Sequence, residues 1–309
     1  MKNIVALFSG QGAQKVGMGK DLYEASAGAR ALIDQADGAL DFGLSEVMFG
    51  GPDGELTRTS RCQPALYVHG LACLAALRER VPDVNIVSAA GLSLGEFTAH
   101  ASAGTFDFAT GLDLVHKRGA FMEQACEAAG GAMAAMIGGS DEVVGELAAE
   151  CDIDMANFNT PGQIVVSGSE DGVDKAVGLA KERGIRIAKK LVVAGAYHSR
   201  LMASAQDKLV PVLESASIGM PSVPVWCNVD ARPVTDEADI RETLGRQVTG
   251  SVRWSESMQG LLEGGADLFV EFGPGKQLAG MLGRIQKGTA THSIEDIESL
   301  EAAVEALAS

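Results

Sequence analysis

The stretch that decides the fold is Ile86-Val87-Ser88-Ala89-Ala90 running into Gly91-Leu92-Ser93-Leu94-Gly95. A short apolar run with β-branched members predicts a buried strand over 86–90. The apolar spacing after the glycines predicts a helix over about 94–102. Between them lies Gly-x-Ser-x-Gly, the pattern of a nucleophile elbow. In such an elbow a tight strand-to-helix turn lifts a serine hydroxyl out of the chain, and only glycine fits on either side. The helix that follows aims its first amides at the serine and favours negative charge there. Taken by itself the match also reads as an ordinary βα turn.

Working outward, Ile4 to Phe8 reads as a first strand ending in the turn Ser9-Gly10-Gln11-Gly12. Helical spacing covers Tyr67 to Leu77 after Pro64, and again 107–126. Strands alternating with helices predict an α/β architecture with a mostly parallel sheet. The rhythm then changes. Ala132–Ile137, Met155–Asn159, Ile164–Ser167 and Arg186–Val193 read as strands, with helices over Asp141–Glu150 and Asp171–Arg183. That order, β-α-β-β-α-β, is ferredoxin-like. The expected division is therefore a large subdomain of 1–128 and 198–309 carrying a ferredoxin-like insert over 129–197. A late strand, Asp267 to Glu271, precedes Gly273-Pro274-Gly275, and Ile294 to Leu307 reads as an acidic amphipathic helix.

The 309 residues suffice for a substantial core, and 46% apolar with 21% charged residues is ordinary for a globular chain. No apolar run reaches the roughly 18 residues of a membrane span. The N-terminus reads as a buried strand and not as a signal peptide, so a cytoplasmic location is expected. Five scattered cysteines without a Cys-x-x-Cys pair argue against a disulfide framework or a metal site. A net charge of −16 argues against nucleic acid and anionic membranes as partners.

Four further residues bear on acyl chemistry. A serine needs a base to attack near neutral pH, and imidazole suits. Of five histidines, His69, His100 and His116 fall in predicted helices and His292 lies near the C-terminal end. His198, in Gly195-Ala196-Tyr197-His198-Ser199, sits in a loop between a strand and a helix. A loop histidine is more often structural, but this one is the leading base. An oxyanion needs donors, for which the amide of Leu94 and, from the first glycine turn, that of Gln11 are candidates. Arg118 lies on a largely apolar helix. It reads either as a surface arginine with a packed stem or as a bidentate partner for a substrate carboxylate.

Together these motifs resemble the malonyl-CoA:acyl-carrier-protein transacylase family along nearly the whole chain. Phe8-Ser9-Gly10-Gln11-Gly12-Ala13-Gln14 is similar to the family's FPGQGAQ/S start, and Gly91 to Glu96 to its GHSLGE. Arg118-Gly119 heads a segment resembling RGxLMQ, and Asn159 to Gly168 resembles NSPxQxVISG. Gly195 to Ser199 matches GAFHS, Gln247 with Val252-Arg253-Trp254 matches Q…PVRW, and Glu271 to Lys276 resembles ExGPGK. Seven ordered motifs outweigh the bland reading of each. The resemblance implies an α/β-hydrolase-like large subdomain with the ferredoxin-like insert. It implies a ping-pong reaction in which Ser93 attacks the malonyl thioester with His198 as base. The amides of Gln11 and Leu94 hold the oxyanion, Arg118 pairs with the malonyl carboxylate, and a backbone carbonyl near Gln247 orients the histidine. Malonyl-CoA and holo acyl carrier protein are the implied partners of a monomer that needs no cofactor.

Two departures stand out. Leu92 replaces the histidine usual before the nucleophile, and Gly250-Ser251 replace the usual Asn-Pro. Tyr197 fills a position where a bulky aromatic goes with malonyl rather than methylmalonyl, a steric preference at the α-carbon. Lys181, Arg183, Arg186, Lys189 and Lys190 form a basic cluster on an acidic chain. They suit carrier protein or coenzyme A phosphates, and equally a solvated surface. The alternatives are an acyl hydrolase, a discrete acyltransferase of polyketide synthesis, and a silent carrier-binding scaffold.

Overall fold

The computed structural model describes residues 2–308. Its larger sheet joins β1 (Asn3–Phe8), β2 (Asn85–Gly91), β7 (Val225–Cys227), β8 (Arg232–Pro233), β9 (Leu268–Phe272) and β10 (Thr291–Ile294) in the order β10-β9-β1-β2-β7-β8. Every pairing in it is parallel except β7 with β8. Its central strands are buried nearly end to end, as a sheet covered by helices on both faces requires. Helix Thr59–Arg80 covers one face, with Phe108–Ala129 packed against that helix, and Trp254, Met258, Leu278 and Leu282 pack on the other.

The second sheet holds β3 (Ala132–Ile137), β4 (Asp154–Thr160), β5 (Gln163–Gly168) and β6 (Ile187–Lys190), antiparallel in the order β4-β5-β3-β6. With helices Asp141–Glu150 and Glu170–Leu179 this is the β-α-β-β-α-β arrangement. It has its own core of Met136, Val144, Leu147, Ile164, Val166 and Val173. Residues 250–252 stitch it to the larger sheet. Ser251 Oγ donates to the Met155 carbonyl (2.6 Å), Val252 N to Ala156 O (2.8 Å), and Phe158 N to Val252 O (2.8 Å).

The chain departs from its predicted elements in instructive ways. The helix expected from Tyr67 begins at Thr59, so Pro64 lies inside it. Proline there forgoes one intrahelical donor, and burial of Cys62, Ala65, Leu66 and Val68 on the same segment outweighs the loss. The strand expected over 186–193 spans only Ile187–Lys190, because it is an edge strand paired with β3 alone. The helix expected over Ile294–Leu307 begins at Ile297, because Ile294 closes β10, in which His292 also lies.

Candidate active site

Ser93 stands at the end of β2, in the middle of the larger sheet. Its backbone has φ 54° and ψ −107°, a conformation sparsely populated by any side-chain-bearing residue. Two bonds hold it there. The Ser93 amide donates to Asn228 Oδ1 (2.7 Å), and its carbonyl accepts from Gln247 Nε2 (2.8 Å). The flanking glycines are required by space. A Cβ on Gly91 would lie 2.6 Å from Glu96 N, and one on Gly95 would collide with the carbonyl oxygen of Phe8. The turn therefore closes directly onto the end of β1.

His198 follows β6 and is 4% exposed. Its Nδ1 faces the carbonyl oxygens of Gln247 (2.9 Å) and Gly250 (3.2 Å), which can only accept. Nδ1 therefore carries the proton, and Nε2 is left to accept from the Ser93 hydroxyl at 2.7 Å. Burial, helped by the nearby Arg118 charge, holds the imidazole down to about 4, so it is neutral at physiological pH. No carboxylate touches it among the described residues; two main-chain carbonyls do the orienting.

Arg118 is 1% exposed, and burial lowers it only to about 10, so it stays charged. Its Nη1 donates to Gln63 Oε1 (2.7 Å), and its Nη2 to Gln247 Oε1 (2.7 Å) and Ser93 Oγ (3.1 Å). The guanidinium carbon sits 5.4 Å from the centre of the Phe97 ring. All of its hydrogen-bond partners are neutral, and its Nε has none among the described residues. A buried cation without a bonded anion is poised for one brought by a ligand. Gly119 makes the placement possible, since a Cβ there would lie 2.7 Å from the Thr59 carbonyl oxygen. The two helices touch at this point, and Thr59 and Gln63, one turn apart, face the site together.

The remaining sequence candidates surround this cluster. Leu94 is the first residue of helix Leu94–Ser102, so its amide has no intrahelical acceptor. Gln11 lies in the turn after β1, which packs on the elbow so closely that a Cβ on Gly10 would clash with the Leu92 carbonyl. Tyr197 donates or accepts at Thr59 Oγ1 (2.5 Å) and accepts from Gln11 Nε2 (3.4 Å). Leu92 packs with Val252 and Trp254 on the apolar side of the sheet. The substituted Gly250-Ser251 is well anchored, one carbonyl on His198 and one hydroxyl on β4. A cleft of about 520 Å³, bordered by His198, Met155, Arg200, Gln206 and Thr249, opens beside the imidazole.

Sequence reasoning missed Gln63, Thr59, Asn228 and Glu96. Glu96 was in plain view, one residue past the elbow motif, but nothing in its spacing announced burial. Asn228 lies in an unremarkable segment after β7 and carried no signal. Of the basic cluster, Lys190 pairs with Asp174 (2.7 Å) and Arg183 with Glu150, while Lys181, Arg186 and Lys189 are exposed.

An acyl transferase domain matches residues 5–303. A malonyl CoA-acyl carrier protein transacylase of Bacillus subtilis (strain 168) is 41% identical, covering 99% of this chain and 98% of its own. The chain belongs to the malonyl CoA-acyl carrier protein transacylase family. A member from Haemophilus influenzae is 35% identical over 99% of this chain and its own full length. An acyl-carrier-protein-S-malonyltransferase from Bartonella henselae superposes with a TM-score of 0.94 at 34% identity, covering 99% and 100% of the two chains. A malonyl-transacylase solved in complex with a type II PKS acyl-carrier protein also gives 0.94, at 33% identity and 98% and 99% coverage. The α/β fold with a second, antiparallel sheet is the fold of this transacylase family.

Proposed function

We propose that this protein transfers the malonyl group from malonyl-CoA to the phosphopantetheine thiol of holo acyl carrier protein, supplying fatty acid synthesis. The observation that carries the reading is the buried guanidinium of Arg118, hydrogen-bonded only to neutral groups among the described residues and 3.1 Å from the oxygen of a serine already paired with a neutral histidine. Ser93 Oγ attacks the thioester carbonyl while His198 Nε2 takes its proton, and the Gln247 and Gly250 carbonyls steady the imidazolium that forms. The amides of Gln11 and Leu94 receive the oxyanion. Collapse expels the coenzyme A thiolate, which takes the proton from His198, and leaves malonyl-Ser93. The carrier thiol then attacks that ester with His198 again as base, and the serine is restored. Arg118 binds the distal carboxylate throughout, and the Tyr197 ring limits bulk at the α-carbon. No step calls for a cofactor.

Residues 1–128 with 198–309, and the insert 129–197, are the two units we assign, with the site between them. The exposed Lys181, Arg186 and Lys189 give an acidic chain a cationic face suited to an acidic carrier. Five free, buried cysteines suit a reducing cytoplasm, and we take the protein to act there as a monomer. Intact-protein mass spectrometry tests the reading. A malonyl adduct on Ser93 that discharges onto holo carrier is expected, whereas an adduct lost to water as fast as to carrier makes the protein a hydrolase.

A further inference from the structure

One buried ionisable group beside the site has no part in the proposed mechanism. Glu96 is 0% exposed, one turn beyond Ser93, and accepts no bond from a lysine or arginine among the described residues. Its Oε2 accepts from Gln247 Nε2 (2.6 Å) and from the Asn228 amide (3.1 Å), while Oε1 has no partner among the described residues. A buried carboxyl is costly where an apolar or amide side chain would pack as well, so what it contacts matters. Both its partners grip the elbow. Asn228 holds the Ser93 amide and donates to the Gly91 carbonyl (2.8 Å). Gln247 holds the Ser93 carbonyl, accepts from Arg118 and orients His198 through its own carbonyl.

A glutamine amide can turn end for end, exchanging donor and acceptor. Reversed, Gln247 would present NH2 to the guanidinium and push it away from Ser93. Oε2 of Glu96 opposes this together with the Ser93 carbonyl, because each only accepts, and of the two contacts to Nε2 the one to Glu96 is the shorter (2.6 against 2.8 Å). Oε2 already accepts two N–H donors, so protonation of the carboxyl would fall on Oε1 and leave the constraint at Oε2 unchanged. We propose that Glu96 is a positioning residue: its Oε2 locks the Gln247 amide so that Arg118 is held over Ser93, which makes Glu96 a determinant of selectivity for acyl groups ending in a carboxylate.

This inference rests on the malonyl-transfer reading, and one experiment separates the two. Acylation of Ser93 is followed with malonyl-CoA and acetyl-CoA for the parent, Glu96→Met and Glu96→Gln. Glu96→Ala serves if the methionine variant does not show a cooperative melt. Loss of the acceptor is expected to lower the malonyl-to-acetyl ratio of kcat/KM by about tenfold, the worth of one misdirected charge-assisted bond. Glu96→Gln, which can keep a carbonyl oxygen at the Oε2 position, is expected to restore most of the ratio. An equal loss for both acyl groups in folded protein, or failure of the glutamine to restore the ratio, overturns the positioning role. A parent without preference for malonyl overturns the functional reading itself, and the Glu96 inference with it.

Discussion

Arg118→Ala is the sharpest perturbation this site offers. Two charge-assisted hydrogen bonds from a buried guanidinium to a carboxylate contribute about 1.5–3 kcal/mol each, or roughly 3–6 kcal/mol together. At about 1.4 kcal/mol per decade, malonyl acylation should lose between about 10² and 10⁴ in kcat/KM. Acetyl acylation has no carboxylate to lose; it forfeits the Nη2 contact to Ser93 Oγ, while the bonds to Gln63 and Gln247 are lost for both acyl groups alike, so a much smaller loss than for malonyl is expected. Stopped-time acylation with each thioester, read by intact mass, gives both numbers from one preparation. A second readout comes with it. Arg118 contributes to the depressed His198 pKa, so its removal should move the acid limb of the acylation rate toward neutral pH. Equal losses for malonyl and acetyl would refute the anchor and leave Arg118 as support for the serine. An unmoved acid limb would refute the electrostatic coupling.

Four further outcomes are expected. In the parent, the base stays neutral until pH falls through about 4, so acylation should hold well below pH 6.5 and decline only near pH 4; a decline centred at 6.5 counts against the buried, neutral imidazole. Asn228→Ala strips partners from the Ser93 amide and the Gly91 carbonyl. It should slow acylation by roughly thirtyfold or more for malonyl and acetyl alike, at about 1–3 kcal/mol for each of the two unpaired groups. Gly119→Ala forces a Cβ to within 2.7 Å of the Thr59 carbonyl oxygen. The overpacking should destabilise the fold by about 1–3 kcal/mol and lower the melting temperature, with malonyl kcat/KM falling as Arg118 shifts. Finally, burial depresses His69 to about 4, His100 to about 3 and His198 to about 4. Below the unfolded value of about 6.5 the unfolded chain binds more protons. Their contribution is thus complete above that pH and lost as pH falls toward 4, at up to about 1.4 kcal/mol per pH unit for each histidine. Glu96, raised by burial to about 8, acts oppositely and withdraws stability as pH rises from its unfolded value toward 8. Melting curves from pH 4 to 9 check both slopes, and Glu96→Gln should flatten the alkaline one.

Much of this protein was legible in the chain because the decisive signals are local. Gly91 and Gly95 flank the nucleophile because a Cβ at either place meets backbone, and steric exclusion of that kind leaves its mark as a residue type at a fixed spacing. The strand and helix order of the antiparallel unit was likewise legible, because each element carries its own local apolar run. The residues that hold the site in shape left no such mark. Gln63 and Thr59 face Arg118 only because their helix begins before Pro64 and crosses the Arg118 helix at a glycine. Asn228 meets Ser93 across the pairing of β7 with β2, 135 positions away in the chain. The orienting groups of His198 are main-chain carbonyls, which every residue possesses and no sequence pattern can single out. Glu96 has the composition of any exposed helical glutamate. Its burial and its grip on Gln247 follow from closing the elbow against β1 and β7. The chain by itself marked Ser93 and His198 as the candidate nucleophile and base and laid out the two sheets; the electrostatics and orientation of the site were decided only when distant segments packed together, because hydrogen bonds between residues far apart in sequence have no local period to betray them.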